Sequence, residues 1–190
     1  MVERSAVFAW YELLTTDVSA AQSFYGKVVG WDVQDASTPE FAYRLFSVGG
    51  TPVAGLMELP LDGRKKGATP RWMGYVAVED LDGVVDRLRR LGGTVYVPPM
   101  DSNVGRLAVV ADPQTASLAL IKGLKYGNPA AEPGGLGRVG WHELFAALCS
   151  TPSSATASQK QGGNNSRTLL IAVSIQGGTN ANRAFHSLLH

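Results

Sequence analysis

The sequence predicts an α+β fold built from two βαβββ units, and three observations carry that prediction. A β-favouring stretch leading into an Asp-capped helical pattern occurs twice, at Val7–Leu14 before Asp17 and at Met73–Val78 before Asp80. The capping residues Asp17 and Asp80 are 63 residues apart, and so are the glycines Gly30 and Gly93 that close the helical patterns. Each helical pattern is followed by three short strand-like stretches. Such repetition sets the architecture before any side-chain chemistry, because each unit buries its apolar face against its neighbour.

The first unit spans residues 5–59. Its opening strand alternates Phe8, Trp10 and Glu12 on one face with Val7, Ala9, Tyr11 and Leu13 on the other, so it is buried on both sides except at one acid. Asp17 caps a helix in which Val18, Ala21, Phe24, Tyr25, Val28 and Val29 recur at helical spacing, and Gly30 takes the left-handed C-terminal position. Trp31–Val33, Tyr43–Val48 and Thr51–Leu59 follow as strands, the last two joined at Gly49-Gly50. Residues 60–70, rich in Gly, Lys and Arg, form an exposed connector.

The second unit spans residues 71–123. Arg71–Val78 is a strand, and Asp80 caps a helix that turns Leu81, Val84, Val85, Leu88 and Leu91 inward. Thr94–Val97, Gly105–Ala111 and Ser117–Lys122 complete it, with Asp112-Pro113-Gln114-Thr115 as the last turn. Asp101–Gly105 is a turn or a lid over a cavity mouth.

Residues 1–123 therefore make one complete domain, followed by a Gly/Pro linker over 124–137. A third start lies within 138–147, where Trp141-His-Glu-Leu144 copies Trp10-Tyr-Glu-Leu13 at an offset of 131 residues. All sixteen acidic residues lie at or before Glu143. Residues 148–190 are instead Ser-, Asn- and Gly-rich, which points to a second domain truncated near Ala147 and a tail foreign to the repeat. The alternative is a lineage-specific tail that docks as a strand through Leu169–Ile175.

A formal net charge of +1 leaves no basic field for nucleic acid, and no apolar run is long enough for a membrane span. One cysteine, Cys149, excludes an intrachain disulfide framework and a Cys-rich zinc module. A cytoplasmic protein is the expectation.

The run Thr-Thr-Asp17, Ala20-Ala21-x-x-Phe24-Tyr25 and Gly30-Trp31, then Val78-Glu-Asp80-Leu-Asp82 and Asp112-Pro113, resembles the vicinal oxygen chelate superfamily over residues 5–123. That superfamily includes glyoxalase I, bleomycin-resistance proteins and extradiol dioxygenases. The third start further resembles its tandem two-domain members. The resemblance implies a cupped mixed sheet, with metal ligands on the first and last strands of each unit. At the matching positions stand Trp10 and Met73 on the first strands, and Ala119 with its partner 63 residues earlier, Leu56, on the last. All four are apolar, and the three histidines, His142, His186 and His190, lie outside the double unit.

The expectation is thus a metal-independent protein that binds or sequesters a small hydrophobic or aromatic molecule. Its cavity is formed by Trp10, Met73, Tyr75 and Ala119, with Tyr43 orienting the ligand and Glu12 as polar anchor. The bland alternatives are that Trp10 and Met73 only pack the sheet, that Glu12 pairs with Arg44 or Arg71, and that Arg106 is an ordinary surface residue. A second function class is a lyase, isomerase or dioxygenase with a divalent metal relocated to Glu12 and Glu58, each two residues beyond a lost ligand. A third is a homodimer that covers the face exposed by a missing second domain. A hydrolase would need a nucleophile beside a base; only Cys149 and His142 offer such a pair, and no Gly-x-Ser-x-Gly elbow occurs.

Overall fold

The structure is a computed structural model that describes residues 7–125, 137–139 and 142. The tail over 148–190, the linker segment 126–136 and most of the third start lie outside the described residues. The first unit contains β1 (Val7–Thr15), α1 (Val18–Val29), β2 (Asp32–Asp35), β3 (Arg44–Val48) and β4 (Thr51–Glu58). A short helix, α2 (Leu61–Lys65), lies in the connector. The second unit contains β5 (Arg71–Ala77), α3 (Leu81–Arg90), β6 (Thr94–Ser102), β7 (Gly105–Ala111) and β8 (Ser117–Lys122).

The eight strands form one open mixed sheet in the order β2-β3-β4-β1-β5-β8-β7-β6. Each first strand pairs in parallel with the last strand of its own unit, β1 with β4 and β5 with β8. The two units meet where β1 and β5 run antiparallel, with Trp10 opposite Tyr75, Tyr11 opposite Gly74 and Glu12 opposite Met73. The pairing is symmetric about Tyr11 and Gly74, so repeat-equivalent residues lie next to each other at the centre of the sheet.

The helix caps follow the expected chemistry. Asp17 accepts from the Ala20 N–H and Asp80 from the Gly83 N–H, each satisfying an orphan donor at a helix start. Gly30 closes α1 in the left-handed region at φ 74°, where a side chain would be strained.

Both helices lie on one face of the sheet. α1 covers Tyr11, Leu13, Trp31, Phe46, Ala54 and Leu56; α3 covers Ala108, Val110 and Leu120 through Leu81 and Val85. Phe46 and Leu56 are wholly buried there. Burial of a side chain of that size stabilises the fold by about 1.5–3 kcal/mol. The opposite, helix-free inner face carries Trp10, Leu14, Leu59, Met73, Tyr75, Ala119 and Ile121.

Two local expectations are corrected. A bulge between Phe8 and Trp10 interrupts the alternation of β1, so Ala9 joins Trp10 on the inner face and Phe8 packs on the outer one. The connector is exposed as expected and also contains the short helix α2. β6 runs past Pro98-Pro99 to Ser102, because it is an edge strand and the missing N–H groups remove no obligatory ladder bond. Asp101–Gly105 is accordingly the turn of the β6–β7 hairpin.

Candidate functional site

The inner face is largely apolar; its polar groups include one buried chain centred on Glu12 and the partly buried Arg71 at the start of β5. Glu12, on β1, is buried between Trp10 and Leu14. Its Oε2 accepts from the Tyr75 hydroxyl at 2.6 Å, and its Oε1 accepts from the Tyr43 hydroxyl at 2.8 Å. Tyr43 in turn accepts from Trp10 Nε1 at 3.2 Å. The alternative pairing of Glu12 with an arginine is not found: Arg44 is held by Asp35 at 2.7 Å, and Arg71 donates to the Thr69 carbonyl.

Burial raises the Glu12 pKa, and the two tyrosine hydroxyls act the other way because they stabilise the ionised form. Burial, followed by the nearby Glu12 charge, lifts both Tyr43 and Tyr75 above the ordinary phenol value. Both tyrosines therefore remain donors at neutral pH. Each hydrogen bond to a charged group is worth about 1.5–3 kcal/mol, which offsets much of the cost of burying the carboxyl.

The last-strand position of the first unit is Gly55, not Leu56. Ala119 is level with Tyr75 on β8, and the residue level with Glu12 on β4 is Gly55. Leu56 is level with Leu13 and points to the outer core. A Cβ on Gly55 would collide with the Tyr43 hydroxyl, so the phenol occupies the space of the side chain that Gly55 lacks. Glu58 is likewise removed from the site. It shares the outer face with Leu56, its side chain is 64% exposed, and it pairs with Arg64 at 3.4 Å. Glu12 and Glu58 are on opposite faces and cannot share a metal ion.

These positions acquire their meaning from comparison with known proteins. The sequence model of the Glyoxalase/Bleomycin resistance protein/Dioxygenase superfamily matches residues 7–118. The chain belongs to this superfamily. A Mycobacterium tuberculosis protein named as a glyoxylase, CFP32, is 37% identical over 114 residues, 58% of this chain and 43% of that one. The anthracycline biosynthesis protein DnrV of Streptomyces peucetius is 36% identical over 125 residues, 66% of this chain and 44% of that one. The chain thus matches less than half the length of these curated relatives. Among solved structures, methylmalonyl-CoA epimerase from Mycobacterium tuberculosis superposes with a TM-score of 0.45 at 19% identity, covering 64% of this chain and 92% of that one.

The divalent ion used by metal-dependent members of the superfamily does not fit the residues present. Trp10, Met73, Gly55 and Ala119 offer no strong donor, and both oxygens of Glu12 are already bonded by tyrosines. Among the described residues no group of three His, Cys, Asp or Glu side chains could hold a metal ion.

Beside this floor lie further apolar side chains, with Arg71 at its end. Phe41 stacks on Tyr43 at 5.6 Å between ring centroids, and Met100 lies opposite Leu107; both are exposed. Arg106 is held by Asp82 at 3.0 Å and by Asp101 at 3.4 Å, which makes it a surface ion-pair residue.

One contact of the third start was missed by sequence reasoning. His142 lies 2.6 Å from the Tyr11 hydroxyl and stacks on Phe8 at 3.9 Å, on the outer face. Trp31 Nε1 donates to the Gly137 carbonyl at 2.6 Å. Tyr11 and His142 are 131 residues apart, the offset of the third start itself, which was the available signal. Cys149, the other half of the hydrolase pair, lies outside the described residues.

Proposed function

We propose that this chain is a metal-independent binding protein that holds a small planar, apolar molecule against the inner face of the sheet. The single observation behind this reading is that residues without strong donors, Trp10, Met73, Gly55 and Ala119, stand at the metal-ligand positions, while the buried acid beside them is closed off in a Trp10–Tyr43–Glu12–Tyr75 chain. Such a surface offers stacking and burial but no Lewis acid. Aromatic and thioether groups, here Trp10 and Met73, suit flat ligands. The exposed Phe41 and Met100 beside the floor support an apolar ligand, as does the anthracycline-biosynthesis name of a relative 36% identical over its matched segment.

The test is calorimetric titration with naphthalene-2-carboxamide, with and without chelator. One-to-one binding insensitive to chelator, and lost in Leu107→Trp, is expected; chelator-sensitive binding or none would overturn the reading. No helix of the described residues is long and apolar enough to cross a membrane. Nucleic acid remains an unsuitable partner at a net charge of +1. The setting that suits this reading is the cytoplasm.

A second reading, self-association, is favoured by α1. Ala20, Phe24 and Val28 follow one another at helical spacing on its outer side, with Phe24 56% and Val28 57% exposed. The repeat-equivalent α3 is different: it presents Asp82, Asp86, Arg87, Arg89 and Arg90. A homodimer through α1 would cover this stripe. Light scattering should give twice the chain mass for the wild type and a monomer for Phe24→Asp; a wild-type monomer would sink the reading.

A further inference from the structure

We infer that Arg71 forms an anion-binding subsite on the inner face, suited to a carboxylate carried by the aromatic ligand; this rests on the binding function proposed above. β5 alternates regularly, with Trp72 in the outer core and Met73 and Tyr75 on the inner face. Arg71 therefore shares the face of Met73 and Tyr75, opposite Leu14 on β1. It is partly buried at the end of the floor formed by the Glu12 chain.

The surroundings of Arg71 leave its charge uncompensated. Arg44, Arg64, Arg89 and Arg106 each have a carboxylate within ion-pair distance, whereas Arg71 has none among the described residues. Its Nη1 donates to the Thr69 carbonyl at 3.0 Å, and its Nε is buried without a partner. Burial lowers the Arg71 pKa, opposed only by the Tyr96 phenol. Glu12 forms no ion pair with it; both Glu12 oxygens accept from Tyr43 and Tyr75 instead. A guanidinium keeps its proton under ordinary conditions and presents a planar fork of donors. Leaving such a group half-buried and unpaired is unfavourable, and a planar carboxylate matches the fork through two parallel hydrogen bonds. A neutral ligand would leave that cost in place.

The experiment compares naphthalene-2-carboxylate with naphthalene-2-carboxamide by calorimetry on the full chain, as wild type, Arg71→Met and Arg71→Lys. The wild type should bind the carboxylate about tenfold or more tightly than the carboxamide. Arg71→Met should lose that preference while keeping its carboxamide affinity, which reports an intact floor; Arg71→Lys should keep part of the preference. Equal wild-type affinity for the two probes, or a preference that survives in Arg71→Met, would overturn the subsite and leave the binding function standing. Failure of both probes to bind the wild type would overturn the binding function and the subsite with it.

Discussion

Glu12 Oε2 accepts a 2.6 Å hydrogen bond from Tyr75, a residue 63 positions later and therefore its counterpart in the second copy of the repeat. The duplication has placed an acid at one copy and a phenol at the other, and the antiparallel meeting of β1 and β5 brings them together. A carboxylate and a neutral phenol form a satisfied buried pair. Two carboxylates in the same place would repel each other and need a shared proton or a cation.

Tyr75→Phe removes one donor and leaves Glu12 Oε2 buried without its partner. A loss of about 1–3 kcal/mol in urea unfolding is expected, together with a further rise in the Glu12 pKa. A neutral result would mean that water replaces the hydroxyl.

The pH dependence of stability has a defined sign. The folded-state pKa of Glu12 is raised above its ordinary 4.5, so the folded protein holds that proton more tightly than the unfolded chain. Its contribution is fully present below pH 4.5 and is lost as pH rises through the folded value. Asp35 and Asp82 have lowered values and act oppositely, below their ordinary 3.8. Glu12→Gln should therefore gain stability relative to wild type as pH rises above 4.5, measured by denaturant melts from pH 4 to 8. A difference independent of pH would contradict the assignment.

Gly55→Ala should displace the Tyr43 phenol, since the added methyl would occupy the position of that hydroxyl. Loss of the Tyr43–Glu12 bond should destabilise the fold by about 1–3 kcal/mol. Combining Gly55→Ala with Tyr43→Phe should cost less than the sum of the two changes, because both remove the same bond. Strict additivity would show that the phenol and the glycine are independent.

His142→Ala removes the stack on Phe8 and the bond to Tyr11, and should lower stability by about 1 kcal/mol at neutral pH. Burial lowers the His142 pKa from 6.5, so its contribution is present above pH 6.5 and is lost as pH falls through the folded value. The penalty of the variant, read from melting curves, should shrink below pH 6.5. A penalty that grows on acidification would reverse the assignment.

Much of the fold was legible because its signals are local. Asp17, Asp80 and Gly30 mark helix ends through their own backbone chemistry, and β7 and β8 have their expected boundaries. Non-local features were less accessible. The bulge at Ala9 and the one-residue offset that replaces Leu56 by Gly55 are properties of strand register, which the 63-residue repeat could not resolve. Glu12, Tyr43 and Tyr75 were each visible as polar residues on strands. Their union was not, because it depends on Tyr43 reaching across the space above Gly55.

Elemental analysis of chelator-free protein shows whether the Glu12–tyrosine cluster, beside ligand positions filled by Trp10, Met73, Gly55 and Ala119, leaves the chain without a metal. It should be combined with melting curves in manganese, nickel, zinc, iron and magnesium. No stoichiometric metal and no shift with any ion are expected. A bound metal, or a shift of several degrees that Glu12→Gln abolishes, would contradict this expectation.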